Sequence, residues 1–182
     1  MFPRLYTQRL ALREAEKKDA AAIYALRSDP RMTCHTGVVH GALAQSEGYV
    51  QRLQKSYAAG EDIFWAIDLQ GEAGMIGGIC LWDRQKDGSF YLGYELSPGH
   101  WGRGYMGEAL QAVMAYGFSE EAKETWGAIP ALWADPREEN QASVRLLERH
   151  GFALQRSLIH EDEKGVGHRH LLYAKGAEET GA

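Results

Sequence analysis

Three apolar or aromatic runs follow one another with only short polar connections between them, and this arrangement restricts the fold more than any other feature of the chain. The runs are 62–69, 75–82 and 89–96, and both connections contain glycine. Strands joined so closely pair as antiparallel hairpins, because a parallel pair needs a crossover of a dozen or more residues. The sequence therefore predicts an antiparallel sheet at the centre of the chain.

The spacing of apolar residues predicts the elements on either side of these strands. Alternation of period two is typical of a strand, and apolar positions three or four residues apart are typical of a helix. The segment 32–41 has no sustained period and is predicted to be a loop. The fold class is α+β, with a mixed, mostly antiparallel sheet of about seven strands flanked by about four helices. The additional strands are predicted at 7–13, 129–134, 152–158 and 168–174, and the helices at 19–28, 43–58, 140–150 and over a stretch ending near Phe118.

Length and composition place the chain among soluble globular proteins. Its 182 residues are 45% hydrophobic and 25% charged, and the expected organisation is one domain over 1–176 with a flexible tail at 177–182. The net charge of −5 repels phosphate backbones, so nucleic acid is not an expected partner. Apolar runs are far shorter than the roughly 18 residues of a membrane span. We therefore expect a cytoplasmic protein without membrane contact.

One segment between a predicted strand and a predicted helix is rich in glycine, GRGYMG at 102–107. Glycines let the backbone approach a ligand closely, and the N–H groups that precede a helix form an anion site strengthened by the helix dipole. Such a segment suits a pyrophosphate, and Arg103 supplies a charge beside it. The same glycines are also compatible with a simple tight turn.

The segment also matches the G-x-G-x-x-G pattern of nicotinamide- and flavin-dependent oxidoreductases, which keeps that class as an alternative. The pattern requires a strand that runs directly into the first glycine and an acidic residue about 20 positions further on. Here Ser97 to Trp101 intervene, and Gly127 stands where the acidic residue belongs. A NAD-binding oxidoreductase is therefore the less supported interpretation.

A second motif helps to decide between these interpretations of the glycine-rich segment. The stretch LGYELSPGHWGRGYMGEAL at 92–110, followed by NQASVRLLERHGF at 140–152, resembles the GNAT superfamily of acyl-CoA-dependent N-acetyltransferases, and within it the RimJ/RimL type. The resemblance extends over residues 7–175. It implies the GNAT fold and transfer of the acetyl group of acetyl-CoA to a primary amine, either a protein N-terminus or a small-molecule amine. Characterised RimJ/RimL members acetylate the N-termini of ribosomal proteins.

The resemblance also implies roles for individual residues. Leu96 and Ser97 would present backbone groups to the pantetheine arm and the thioester. Asn140 would hydrogen-bond the pantetheine region, and Ser143 would lie near the sulfur. Many members carry a tyrosine acid seven residues after the asparagine, where this chain has Leu147. The coenzyme pyrophosphate would be held by Trp101, Gly102, Arg103, Gly104, Tyr105, Met106 and Gly107.

Acetyl transfer to an amine needs a neutral nucleophile and a leaving group that departs easily. Glu95 is the candidate for accepting the amine proton, because a carboxylate near the end of a central strand can reach it directly or through water; the alternative is an exposed strand carboxylate. A hydrogen bond from Ser143 Oγ would assist the thiolate, unless Ser143 only fills the first helical turn after an Asn140 cap. A module that binds acyl-CoA without catalysing transfer is a further alternative.

The acceptor is expected to meet the irregular segment around His35 and the aromatic residues Trp65 and Trp82. Core or rim positions for the two tryptophans and a solvated His35 are the competing interpretations. His168 and His170 share one strand face without a third ligand in view, so no metal is predicted. Acetyl-CoA and an amine acceptor are thus the expected partners, and a homodimer is left open.

Overall fold

The structure is a computed structural model that describes residues 1–161 and 165–177 of the chain. Eight strands lie in this part of the chain: β1 (Leu5–Tyr6), β2 (Leu10–Glu14), β3 (Ile63–Leu69), β4 (Met75–Trp82), β5 (Phe90–Leu96), β6 (Ala131–Ala134), β7 (Ala153–Glu161) and β8 (Gly167–Gly176). The same ranges contain six helices: α1 (Ala20–Ser28), α2 (Pro30–Thr36), α3 (Leu43–Ala58), α4 (Tyr105–Gly117), α5 (Glu120–Trp126) and α6 (Gln141–Arg149).

The strands join one sheet in the order β1-β2-β3-β4-β5-β6-β8-β7. Neighbours are antiparallel except β5 and β6, which run parallel. The three central strands form the hairpins predicted from their short connections. The expected α+β class with a mostly antiparallel sheet is confirmed, with one strand and two helices more than predicted. A doubly wound parallel sheet is excluded.

Both faces of the sheet are covered at its central strands, which explains why these strands lack a polar face. On β3, Ile63, Trp65 and Ile67 belong to a core shared with α4, α5 and α6. Phe64 and Ala66 alternate with them and pack with residues of α1 and α3. Because side chains alternate across a strand, a strand that is buried on both faces has a continuous apolar sequence.

β5 and β6 separate soon after they begin to pair, and this separation positions the site. Their register consists of the pairs Phe90–Leu132 and Tyr91–Trp133, whereas β5 pairs with β4 up to its last residue. In the described chain, the edge of β5 that faces β6 is therefore open from residue 92 onward. β5 leads into the glycine-rich segment and β6 leads toward α6, so the two sequence motifs meet at this opening.

The prediction of a loop over 32–41 is wrong for its first half, because Pro30–Thr36 forms α2. The Asp29 side chain begins this helix by accepting a hydrogen bond from Arg31 N at 2.9 Å. Proline suits the first helical turn, where its missing N–H has no intrahelical partner to lose. Gly37 ends the helix with a φ of +67°. The Asp-Pro pair thus ends α1, as predicted, and also begins α2.

Two helices in the second half of the chain, α5 and α6, begin at residues that are typical N-caps, but only α6 was predicted from the sequence. α5 was not predicted from the sequence, although Ser119 caps it by accepting a 3.2 Å hydrogen bond from Ala122 N and glutamates occupy its first turn. α6 is confirmed, with Asn140 as its N-cap and Gly151 just beyond its end in the left-handed region. Acidic residues in a first turn favour a helix through its dipole.

The organisation as one domain stays a prediction. Of the expected tail at 177–182, the structure describes Ala177, whose N–H donates to Pro130 O at 3.0 Å, and 178–182 lie outside the described residues. Within the described ranges, every helix is too short or too polar to traverse a lipid bilayer.

A buried ion-pair network fixes β2 against α1 and β3. Arg13 donates to Asp19 at 2.7 and 2.9 Å and to Asp68 at 2.6 and 2.9 Å. Burial works to raise the pKa of Asp19, but hydrogen bonds from Arg13 and from the Glu16 backbone outweigh it, so the pKa lies below its ordinary value of 3.8. The network therefore stabilises the fold through the ionised form of Asp19.

We predict that Asp19→Asn lowers the free energy of unfolding at pH 7 by about 3 kcal/mol, because the buried Arg13 loses a partner charge. A carboxylate with a lowered pKa in the folded state stabilises the protein above its ordinary pKa, and this contribution is lost as the pH falls through the folded value. The difference between variant and wild type should therefore shrink below about pH 4. Chemical denaturation at several pH values measures both effects.

Glu16→Gln is the control for this prediction, since Glu16 lies 4.0 Å from Arg13 and its side chain is 47% exposed. Exposed ion pairs contribute about 0–1 kcal/mol. Equal losses for the two variants, or a difference for Asp19→Asn that does not depend on pH, would contradict the role given to the buried network.

Candidate active site

A cavity of about 1120 Å³ lies at the opening between β5, α4 and α6. Among the residues predicted for the site, Ser97, Arg103, Trp65 and Trp82 are outside its lining. The others line it: His35, Glu95, Leu96, Trp101, Gly102, Gly104, Tyr105, Met106, Gly107, Asn140 and Ser143. The fold thus brings the two sequence motifs to one space.

The glycine-rich segment presents an uncapped helix N-terminus to this cavity. Gly102 and Gly104 have φ angles of +73° and +79°, which residues with a Cβ rarely adopt. No side chain of the described residues caps α4. The N–H groups of Tyr105, Met106 and Gly107 therefore have no intrahelical acceptor, and the helix dipole adds positive potential there. The arrangement suits an anion such as a diphosphate.

Two residues of this segment control how α4 packs. The Met106 side chain is 9% exposed and belongs to the hydrophobic core. A Cβ at Gly107 would lie 3.2 Å from His150 Cε1 just beyond α6, so a larger residue would require the His150 side chain to shift. The start of α4 thus faces side chains of the end of α6, and both helices line the cavity.

Arg9, a residue that the sequence analysis missed, lies beside the glycine-rich segment. It donates to the backbone oxygen of Arg103 at 3.0 Å and its guanidinium lies 4.6 Å from the Tyr105 ring centroid. It also pairs with Glu108 at 2.7 Å. Partial burial works to raise the pKa of Glu108, but hydrogen bonds from Thr7 and Arg9 lower it overall. Glu108 is thus ionised and neutralised by Arg9, and the exposed Arg103 side chain remains available to an anion.

The end of β5 offers backbone groups to the cavity in an alternating pattern. Ser97 N donates to Ile76 O of β4 at 2.8 Å, so Ser97 is directed toward β4 and does not present this group to the opening. Leu96 points the other way, because successive strand residues direct their N–H and C=O groups to opposite edges. Its carbonyl accepts a 2.6 Å hydrogen bond from Trp101 Nε1. The N–H of Leu96 is therefore the group that the strand end can offer to a ligand.

A hydroxyl pair stands on the wall formed by β5 and α6. Asn140 caps α6 by accepting from Ser143 N at 3.2 Å, which leaves the amide NH₂ of Asn140 to serve a ligand. Ser143 is 8% exposed, and its Oγ hydrogen-bonds the hydroxyl of Tyr94. Burial raises the pKa of Tyr94 to about 12, against the effect of this hydrogen bond. Tyr94 therefore stays protonated at neutral pH and can donate.

Tyr94 supplies a phenol that the sequence analysis did not find. The position seven residues after the asparagine holds Leu147, which is fully buried in the core. The phenol comes instead from β5, next to Glu95 in sequence. Its hydroxyl contacts Ser143, the residue expected near the sulfur. A phenol is therefore present at this wall, but it comes from β5 and not from α6.

Glu95 is buried, and the alternative of an exposed strand carboxylate is therefore wrong. Its side chain is 9% exposed, and its two oxygens accept from Arg27 at 3.2 and 3.3 Å. Arg27 also donates to Tyr49 OH at 2.9 Å and lies 3.9 Å from that ring centroid. Burial works to lower the pKa of Arg27, but Glu95 and Tyr49 raise it overall. Arg27 thus remains charged and holds the carboxylate in one orientation at the cavity wall.

The residues predicted to meet the acceptor have three different positions. His35 lies on α2 and lines the cavity, and its buried Nδ1 has no hydrogen-bond partner among the described residues. Trp65 has no exposed surface, and its Nε1 donates to Pro3 O at 2.8 Å. Trp82 is 44% exposed and packs against Tyr91 outside the cavity. The assignment of Trp65 to the acceptor site is therefore wrong, because the residue belongs to the core, and Trp82 does not reach the cavity.

Comparison with known proteins identifies the class. A family model described as an acetyltransferase (GNAT) domain matches residues 9–153. The chain therefore belongs to the GNAT acetyltransferase family. A bacterial relative, the uncharacterized N-acetyltransferase YoaA of Bacillus subtilis (strain 168), is 34% identical over 154 residues, which cover 84% of this chain and 84% of the relative. The family prediction made from the two motifs is confirmed, and an oxidoreductase is excluded.

Solved structures share the fold. A GNAT-family acetyltransferase from Bacillus anthracis superposes with a TM-score of 0.84 at 22% identity, covering 97% of this chain and 100% of that one. RimL, a ribosomal L7/L12 alpha-N-protein acetyltransferase in complex with coenzyme A, superposes with a TM-score of 0.81 at 22% identity, covering 97% and 99%. At this identity the similarity establishes a common fold.

Proposed function

We propose that this acetyltransferase moves the acetyl group of acetyl-CoA directly to a primary amine. The observation that carries the proposal is the uncapped N-terminus of α4, which opens into a cavity whose wall holds Glu95 and the hydroxyl pair of Tyr94 and Ser143. An anion site and a proton acceptor that share one cavity are what a thioester and an amine require.

The coenzyme would occupy the opening between β5 and β6. The amides of Tyr105 to Gly107 would hold the diphosphate, with Arg103 as an additional donor. The pantetheine arm would follow the free edge of β5, where the N–H of Leu96 and the amide of Asn140 are available. The complex of the structural neighbour RimL with coenzyme A supports this placement.

The acceptor amine must lose a proton at or before attack. An α-amino group with a pKa of about 7.7–8.0 is roughly one-tenth neutral at pH 7, far more than a lysine amine. Glu95 would orient the amine and accept its proton directly or through water. The nitrogen then bonds to the thioester carbon, the carbon–sulfur bond breaks, and no acyl-enzyme forms.

The leaving sulfur would be stabilised by the hydroxyl pair. Because burial keeps Tyr94 protonated, its hydroxyl can donate to Ser143 Oγ, and the Ser143 hydrogen is then free to point at the sulfur. A thiol with a pKa near 8.5 leaves readily as a thiolate, so one hydrogen bond suffices and a strong acid is not required.

The acceptor class is proposed from the side chains that line the cavity. Met32 and His35 of α2 line the same cavity as Glu95. A carboxylate beside an apolar and a polar side chain suits a protonated amine attached to a small group, such as a peptide N-terminus or a small-molecule amine. The structural neighbours named for ribosomal proteins support the peptide N-terminus as the first substrate to test.

The function is tested by release of free coenzyme A from acetyl-CoA with peptides, polyamines and amino sugars as acceptors. We expect acceptor-dependent release, and Glu95→Gln should lower kcat/KM for the amine about 100-fold. Glu72→Gln, an exposed turn residue, is the control and should stay within about twofold. Saturable acetyl-CoA binding without release by any acceptor would favour a non-catalytic acyl-CoA-binding module.

A second prediction concerns the hydroxyl pair. Ser143→Ala should lower kcat about 100-fold, as loss of a donor to developing charge does, with little change in the KM for acetyl-CoA. Tyr94→Phe should lower kcat about tenfold, and the double variant should be no slower than Ser143→Ala, because the hydroxyls act in series. Tyr91→Phe, on the same strand but outside the cavity, is the control. If the decreases in kcat caused by Ser143→Ala and Tyr94→Phe multiply in the double variant, the two hydroxyls act independently, and their proposed action in series is contradicted.

A further inference from the structure

Two histidines and one aspartate converge beside the end of β6, outside the residues that line the acetyl-transfer cavity. Asp135 follows β6, His160 lies near the end of β7 and His170 lies on β8. One ligand atom from each lies within 4.8 Å of the other two, and the two imidazole rings are 4.7 Å apart at 80°. In the sequence, His168 and His170 are neighbours on one strand face. The structure instead groups His170 with Asp135 and His160, which come from distant positions in the chain.

The distances fit an ion better than direct contact. His160 Nε2 lies 3.7 Å from Asp135 Oδ2, which is too long for a hydrogen bond. Two ligand atoms that each lie about 2.1 Å from a tetrahedral zinc ion are about 3.4 Å apart. The ligand atoms lie within 4.8 Å of one another, so the group needs to contract by up to about 1.4 Å to bind such an ion, and the half-exposed His160 side chain is the ligand with the most freedom to move.

A second-sphere hydrogen bond already orients one ligand. His170 Nδ1 donates to the backbone oxygen of Asp135 at 2.7 Å. The donated proton fixes the tautomer and leaves the lone pair on Nε2, which is the usual arrangement of a histidine that binds a metal. His170 is also well buried, with 18% of its side chain exposed, so its ring has little freedom to turn away.

We propose that Asp135, His160 and His170 form a binding site for a divalent transition-metal ion of the zinc class. Two imidazoles and one carboxylate suit such an ion, and further positions remain open to solvent. The ion would tie the β7–β8 hairpin to the loop that leads from β6 to Asn140. The same loop is already held to β8 by the 3.0 Å bond from Leu171 N to Pro136 O. This site replaces the expectation, based on His168 and His170 alone, that the chain binds no metal.

The test is calorimetric titration of Zn²⁺ into the full chain prepared without a histidine tag. We expect one saturable site, at least tenfold weaker in His160→Ala and in Asp135→Asn, because loss of one of three ligands removes much of the affinity. His168→Ala is the matched control, since His168 faces His160 across the strand pair but is outside the ligand set, and it should bind within about twofold of wild type.

Circular dichroism of each variant confirms the fold, and the absorption of bound Co²⁺ provides a second readout that does not depend on acetyl transfer. The intense visible bands of a four- or five-coordinate site should appear in wild type and disappear in His160→Ala. The proposal is overturned if Zn²⁺ gives no saturable signal, if both ligand variants bind as wild type does, or if His168→Ala loses affinity as strongly as His160→Ala.

Discussion

The early separation of β5 from β6 is the constraint on which the rest of the site depends. After two paired residues the parallel ladder ends, and β5 is left with an open edge inside the molecule. Buried backbone N–H and C=O groups need partners, and Trp101 satisfies one of them by donating to Leu96 O. The remaining groups are available to a ligand that carries its own amides. A pantetheine arm is such a ligand, so the unfinished pairing of the sheet is what makes room for a coenzyme.

Charge is distributed within the site in a way that the net charge of the chain does not indicate. The molecule carries a formal charge of −5, yet the exposed Arg103 and the start of α4 lie at the place expected for the diphosphate, and the nearby Glu108 carboxylate is neutralised by Arg9. On the opposite wall Arg27 holds the Glu95 carboxylate at the cavity. The helix N-terminus would bind the anionic coenzyme. The Glu95 carboxylate, whose charge Arg27 balances, would accept a hydrogen bond from the acceptor amine, so that both reactants are oriented before the reaction.

The glycine-rich segment and the Asn140 motif were predictable from sequence because backbone geometry limits which residues can occupy them. Positions 102 and 104 require a positive φ, which glycine adopts readily. Position 140 requires a side chain that accepts a hydrogen bond from Ser143 N, as asparagine does. Local patterns of this kind show directly in the sequence. They also explain why the hairpin strands and α6 were predicted where they occur.

The partners of those residues were not predictable, because they come from distant parts of the chain. Arg27 is 68 positions away from Glu95, and Tyr94 is 49 positions away from Ser143, so neither contact leaves a local pattern. Trp65 shows the opposite error, since an aromatic residue near other aromatics looks the same in sequence whether it lines a cleft or fills a core. Long-range packing decides such cases, and it is visible only once the sheet order is known.

The most direct measurement is the response of the backbone amides at the start of α4 in the ¹⁵N-labelled protein. Addition of acetyl-CoA should shift the N–H resonances of Tyr105, Met106 and Gly107 strongly downfield, as hydrogen bonds to a diphosphate do. Acetyl-pantetheine, which lacks the diphosphate, should leave those three nearly unchanged while still affecting Leu96. Saturable acetyl-CoA binding that leaves the three amides unmoved, or equal shifts with both compounds, would contradict the placement of the diphosphate on which the proposed function rests.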